Sequence, residues 1–162
     1  MENNIDKFNY YVGCIFAVLQ NSFPCRAGLN FEEITGCEEC SETISSSGYW
    51  TGRYLVNGEI QDMTKELEFV YETVNWLYET GYLIGSVGVT QRGKNAFVTL
   101  SPKSLEILKV IPSSIDASKK GKSIGQELSE AFNSAAKEQV ADIANKALSY
   151  LFKIGWGALS GP

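Results

Sequence analysis

A chain of 162 residues with 44% hydrophobic and 20% charged residues has the composition of a globular protein, which excludes a disordered one. At this length a chain can bury a core without help from metal ions or disulfides. The first residues show no basic region followed by an apolar run, and no apolar stretch is long enough to cross a bilayer, so we expect a cytoplasmic protein without a membrane span.

The negative charge is unevenly distributed. The chain has a net charge of −5, but residues 27–80 carry eleven acidic and two basic residues, whereas residues 81–122 carry seven basic and two acidic ones. The first segment therefore has a net charge of −9 and the second one of +5. Such a division says more about binding partners than the total charge does.

The composition also weighs against catalysis. The chain has no histidine, which excludes the most common general base and the Ser-His-Asp and Cys-His sets. It also has no glycine-rich phosphate-binding loop of the GxxxxGK[ST] type. We therefore expect a non-enzymatic protein that needs no cofactor.

Local signals predict the elements of the first half of the chain. Apolar residues at helical spacing predict a first helix over residues 5–22. Asn30, followed by Glu33, has the form of a capping box and predicts a short second helix. Asn57-Gly58, between two short strand-like runs, predicts a hairpin with a type I′ turn.

The second half is predicted to be helical at both ends, with two strands between. A third helix should cover residues 63–80, and two strands joined by a polar glycine turn should follow it. Ser101 and Pro102 then have the form of a helix start. The last predicted element is one continuous amphipathic helix over residues 124–152, whose alanines would allow a second helix to approach closely.

These elements divide the chain into three parts. Residues 1–111 form the predicted domain, residues 112–123 a polar and basic linker, and residues 124–162 a C-terminal amphipathic helix and tail. The apolar stripe of the last helix would either pack on the first helix or form the seam of a homodimer.

The order of the predicted elements is similar to that of the winged helix-turn-helix superfamily. The segments WLYETGYLIG at 76–85 and VTLSPKSLEIL at 98–108 carry this resemblance, which covers residues 5–111. It implies an α+β fold in which the third helix would lie in the major groove of DNA and the two strands would form the wing.

The side chains of the third helix do not suit that role. The positions expected to be exposed are one lysine, four glutamates and one asparagine: Lys65, Glu66, Glu68, Glu72, Asn75 and Glu79. DNA affinity comes largely from lysines and arginines that neutralise phosphates, so phosphate repulsion would dominate here. The chain resembles a DNA reader in its layout but not on its expected reading face.

A cluster of carboxylates can instead attract a basic protein, as inhibitors that imitate nucleic-acid charge do. The layout also resembles that of small uncharacterised bacterial winged-helix proteins, for some of which an immunity role in interbacterial competition is expected. Our main hypothesis is an immunity or antitoxin-type protein whose acidic surface neutralises a basic toxin such as a nuclease, and the alternative reading of the acidic runs is a solvated helix face. The candidate partner-binding residues are Glu32, Glu33, Glu38, Glu39, Glu66, Glu68 and Glu72, with Tyr49, Trp50 and Tyr54 as aromatic anchors.

A dimeric transcription regulator is the alternative function. In that case the wing residues Arg92 and Lys94 would contact DNA, and the C-terminal helix would be the dimer seam. Nucleic-acid binding is the less favoured of the two because these residues and the lysines of the linker are a small set of phosphate contacts.

The cysteines form the last candidate site. The CEEC segment, Cys37 to Cys40, has the spacing of half a zinc site, for which Cys14 and Cys25 would have to supply the other half. These two are eleven residues apart, and Cys14 lies on the apolar side of the first helix. We expect free thiols and no metal.

Overall fold

The fold is built around one helix that is buried on all its sides. The structure is a computed structural model that describes residues 3–91, 93–110 and 121–159, the last nine by their helical backbone alone. Helix α1 (Asn4–Ser22) begins at Asn3, whose side chain accepts a hydrogen bond from the backbone of Asp6. Every residue from 11 to 17 of α1 is buried, although an amphipathic surface helix would bury one face only. The rest of the chain therefore packs around α1.

The described chain is mixed α+β, as the sequence predicts, and its main sheet has three antiparallel strands. Strand β5 (Gly93–Leu100) lies in the middle, with β4 (Leu83–Thr90) on one side and the short β1 (Ala27–Gly28) on the other. The register pairs Leu83 with Leu100 and Ala27 with Val98. Val98 and Leu100 are buried and join the core around α1.

The other elements of the first two thirds follow the local signals in the sequence. They are α2 (Phe31–Thr35), the hairpin of β2 (Arg53–Val56) and β3 (Glu59–Asp62), α3 (Thr64–Glu79), and α4 (Pro102–Leu108). Asn30 and Ser101 cap α2 and α4 through their side chains, as predicted. Asn57 and Gly58 both have positive φ, which is the conformation that a type I′ turn requires.

The prediction of one continuous helix after the linker is wrong. The chain forms two helices, α5 (Ile124–Asn133) and α6 (Lys137–Leu159). Between them Ala135 adopts a positive φ of 56°, and the backbone N–H of Ala136 bonds back to the carbonyl of Ala131. Neither glycine nor proline marks this break in the sequence, so the break has no local signal. It lets both helices pack against the same central helix.

The two C-terminal helices share the core of the first domain. Leu128 of α5 and Val140, Ala144 and Ala147 of α6 are buried in one cluster with α1. Helix α6 approaches α1 closely at a glycine of α1: a Cβ added at Gly13 would lie 2.5 Å from Val140 Cγ1 and 2.9 Å from its carbonyl oxygen. Of the two partners proposed for the apolar stripe, α1 of the same chain covers its buried described residues, and the homodimer seam stays a prediction. Most of the predicted linker lies outside the described residues.

We predict that Gly13→Ala destabilises the protein by about 1–3 kcal/mol, because the new methyl group would force α6 away from α1. In an uncrowded helix the same change would stabilise by up to about 1 kcal/mol, so the sign of the effect reports the contact. Thermal unfolding followed by circular dichroism measures it. The matched control is Gly28→Ala, where nothing lies within 4 Å of the added atom; an equal loss at both positions would contradict the contact.

Candidate protein-interaction site

The segment between α2 and α3, residues 36–63, is an ordered insertion with a small core of its own. Its buried hydrophobic residues are Cys37, Tyr54 and Met63, and Val56 and Leu67 pack against them. Glu38 and Leu55 of β2 exchange two backbone hydrogen bonds of 2.9 and 2.8 Å. Leu67 belongs to α3, so this core fixes the insertion against the start of that helix.

A tight loop projects from the insertion. Residues Ile44 and Trp50 form an antiparallel bridge, and the backbone N–H of Ser45 donates to the carbonyl of Tyr49 at 2.8 Å. At the base of the loop the hydroxyl of Thr43 is buried and donates to the carbonyl of Arg53 at 2.7 Å. These bonds hold the loop in one conformation.

Three apolar side chains of this loop face solvent. Tyr49 is 74% exposed, Trp50 is 50% exposed and Ile44 is 51% exposed. We call Ile44, Tyr49 and Trp50 the aromatic patch. Two of the three were predicted as anchors. Ile44 was missed, although an isoleucine alone in a polar, serine-rich stretch is a visible signal.

Tyr54 was predicted as an exposed anchor, and this is wrong because its ring is buried at 3% exposure. Its role is to connect the patch to the acidic helix α2. Its hydroxyl accepts a 2.9 Å hydrogen bond from the indole N–H of Trp50 and donates to the carboxylate of Glu32 at 3.3 Å. The pKa of Tyr54 is raised, mainly because the side chain is buried, and the hydroxyl remains a donor at neutral pH.

Glu66 was predicted to face a partner, and the structure places it in an internal contact instead. Its carboxylate accepts a hydrogen bond from Lys7 Nζ at 2.5 Å and another from the hydroxyl of Tyr11. Both partners lie on α1, and the side chain of Glu66 is 29% exposed. This carboxylate therefore holds α3 on the central helix and is not free to bind another protein.

Glu68 is also neutralised within the chain. Its carboxylate forms an ion pair with Lys94 of β5, whose ammonium group also lies 4.8 Å from the centre of the Tyr71 ring. Lys94 is thus held by α3 and does not extend toward a phosphate backbone. The other predicted wing base, Arg92, lies outside the described residues.

Four of the seven predicted carboxylates are exposed and form no ion pair with any residue that the structure describes. We call them the acidic surface: Glu33, Glu38, Glu39 and Glu72. Glu32 is half-buried beside Tyr54. Glu59, at the tip of the β2-β3 hairpin, is exposed as well and was not among the predicted residues.

The four cysteines are free thiols that differ in exposure. Cys14 and Cys37 are buried, Cys40 is half-buried and Cys25 is exposed. In the described ranges, no three cysteine, aspartate or glutamate side chains are grouped as metal ligands. Burial is the main cause that raises the pKa of the Cys14 thiol, to about 11.

The comparisons with known proteins add no relationship. No family model, curated protein or solved structure matches the chain. Within the described part of the chain, no helix combines the length and apolar character needed to cross a membrane.

We predict that the protein loses about 1 kcal/mol of unfolding free energy between about pH 8 and pH 10 because of Cys14. In this window the unfolded chain ionises the thiol while the folded chain retains the proton, so stability falls as pH rises. Urea unfolding at both pH values measures it. Cys14→Ala should make the dependence shallower without abolishing it, because the raised pKa of the buried Cys37 acts in the same direction, and Cys25→Ala, at an exposed thiol, is the control. An equal slope in all three proteins would contradict the assignment.

Proposed function

We propose that the chain is a non-enzymatic, cytoplasmic protein-binding module of the immunity or antitoxin type, whose acidic surface covers a basic toxin domain such as a nuclease. The observation that carries the proposal is the charge of α2, of α3 and of the insertion between them. The acidic surface on these elements is free of ion pairs with described residues, and the aromatic patch lies in the insertion. Exposed aromatic residues together with unpaired carboxylates are typical of a surface that binds protein.

The topology supports a winged-helix arrangement for the part of the chain before the linker. Helices α1, α2 and α3 precede the β4-β5 hairpin, and β1, between the first two helices, pairs with β5. In that arrangement α3 takes the position of a recognition helix and the hairpin takes that of the wing. The insertion would then stand beside the start of the recognition helix, since Leu67 of α3 packs against its small core.

The alternative function, a dimeric regulator that binds DNA, is also supported by this topology. Two other observations weigh against it. Lys94 is bound to Glu68, and the apolar face of α6 is covered by α1 over its described part. A carboxylate-rich α3 would meet phosphates with like charge.

We predict that the protein does not retain duplex DNA in a filter-binding assay at about 50 mM salt, where electrostatic binding is strongest. The positive control is the double variant Glu68→Lys with Glu72→Lys, which makes the exposed face of α3 basic. If α3 occupies the recognition position, this variant should gain weak retention that disappears as salt is added. Retention by the unchanged protein would favour the regulator.

We further predict that the protein captured from cells of the source organism by pull-down and mass spectrometry is basic. Glu39→Lys with Glu72→Lys should slow its association by about tenfold at low salt, because steering by charge acts mainly on the association rate. Surface plasmon resonance at low and high salt measures this. Glu106→Lys, at an exposed carboxylate of α4, is the matched control and should change the rate little. A captured partner without net positive charge, or an unchanged rate, would contradict the proposal.

A further inference from the structure

We propose that the aromatic patch is the docking point for an arginine-rich segment of the partner, with a guanidinium group stacked on the indole of Trp50. This inference rests on the proposed function, since it names the chemistry by which the same surface would take hold of a basic protein.

The patch is presented in a fixed geometry. Trp50 is half exposed, yet its ring is held by the hydrogen bond from its N–H to Tyr54 and by the bridge of its backbone to Ile44. A side chain already fixed in one orientation loses little conformational entropy on binding, and aromatic side chains of this kind dominate many interfaces. The small core beneath, with Tyr54 buried in it, keeps the loop from collapsing onto the rest of the protein.

Negative charge lies immediately beside this ring. The carboxylate of Glu32 is two hydrogen bonds away from the Trp50 indole, through the hydroxyl of Tyr54. A cation placed on the ring would thus gain both the attraction of the aromatic face and that of Glu32.

Arginine fits this setting better than lysine. Its planar guanidinium stacks on an indole and can still donate several hydrogen bonds to carboxylates at its edge, and it is less strongly hydrated than an ammonium group. An uncharged apolar partner would remove the Glu32 carboxylate from water without supplying a cation, which leaves the Tyr54 hydroxyl as its hydrogen-bond donor. Nucleic acid would meet repulsion from the carboxylates, and a second copy of the chain would bring the same negative charges.

The test uses the intact chain and two fluorescently labelled peptides of equal length, one rich in arginine and one rich in lysine. Fluorescence anisotropy at about 50 mM salt gives both affinities. We expect tighter binding of the arginine peptide. Trp50→Ala should weaken that binding by about three- to tenfold and remove the preference over lysine, as expected for the loss of one stacking contact. Val89→Ala, at a 70% exposed residue of β4, is the matched control and should change neither.

Two milder variants keep the test decisive if Trp50→Ala fails to fold. Glu32→Gln keeps a hydrogen-bond acceptor for Tyr54 but removes the charge, and Tyr54→Phe removes the link between Trp50 and Glu32. Each should reduce the preference for arginine while leaving the circular dichroism spectrum unchanged.

Equal affinity for both peptides, or no binding of the arginine peptide, would overturn the inference. Concentration-dependent self-association that Trp50→Ala abolishes would also overturn it, because the patch would then bind a second copy. These results are separate from those for the proposed function. The acidic surface can control association with the captured protein while the patch plays no part, and the patch can prefer arginine although the captured protein is not basic.

Discussion

Burial of α1 on all sides is the constraint on which the rest of the structure depends. A helix whose residues 11–17 are all buried needs neighbours around its whole circumference, and the sheet and α3 cover only part of it. Helices α5 and α6 cover much of the remainder, with Gly13 allowing α6 to approach. The break at Ala135 follows from this need, since a single straight helix could not place both Leu128 and Val140 against Gly13. The C-terminal helices therefore belong to the same folding unit as the first domain.

The same constraint decides which charges remain for function. Glu66 anchors α3 to α1 through Lys7 and Tyr11 in a partly buried contact, where removing one partner would leave the others without compensation. Glu68 plays a similar role toward the hairpin through Lys94, although this pair is more exposed and worth less. Charge on α3 is thus divided between internal contacts with α1 and β5 and two exposed carboxylates, Glu72 and Glu79, that pair with no described base. A count of acidic residues in the sequence does not reveal this division.

The features that could be predicted from the sequence are those that local interactions determine. Asn30 and Ser101 were recognisable as caps because each satisfies backbone donors of its own helix, and Asn57-Gly58 was recognisable because few other residues accept positive φ. The errors concern contacts between distant segments. In the sequence Tyr54 resembles an exposed anchor, but in the fold Cys37 and Met63 pack around it. Likewise, Glu66 resembles a surface residue in the sequence, but in the fold it contacts Lys7, which is 59 residues away.

The charge around the aromatic patch also bears on why exposed apolar residues are tolerated there. Ile44, Tyr49 and Trp50 would favour self-association if they stood in neutral surroundings. Glu32 is linked to Trp50 through Tyr54, so two copies that met through their patches would bring like charges together, and that repulsion would oppose the apolar contact. A basic surface would reverse the sign of the electrostatic contribution while gaining the same apolar burial. Under the proposed function, charge would therefore select the partner, and the apolar area of the loop would supply affinity.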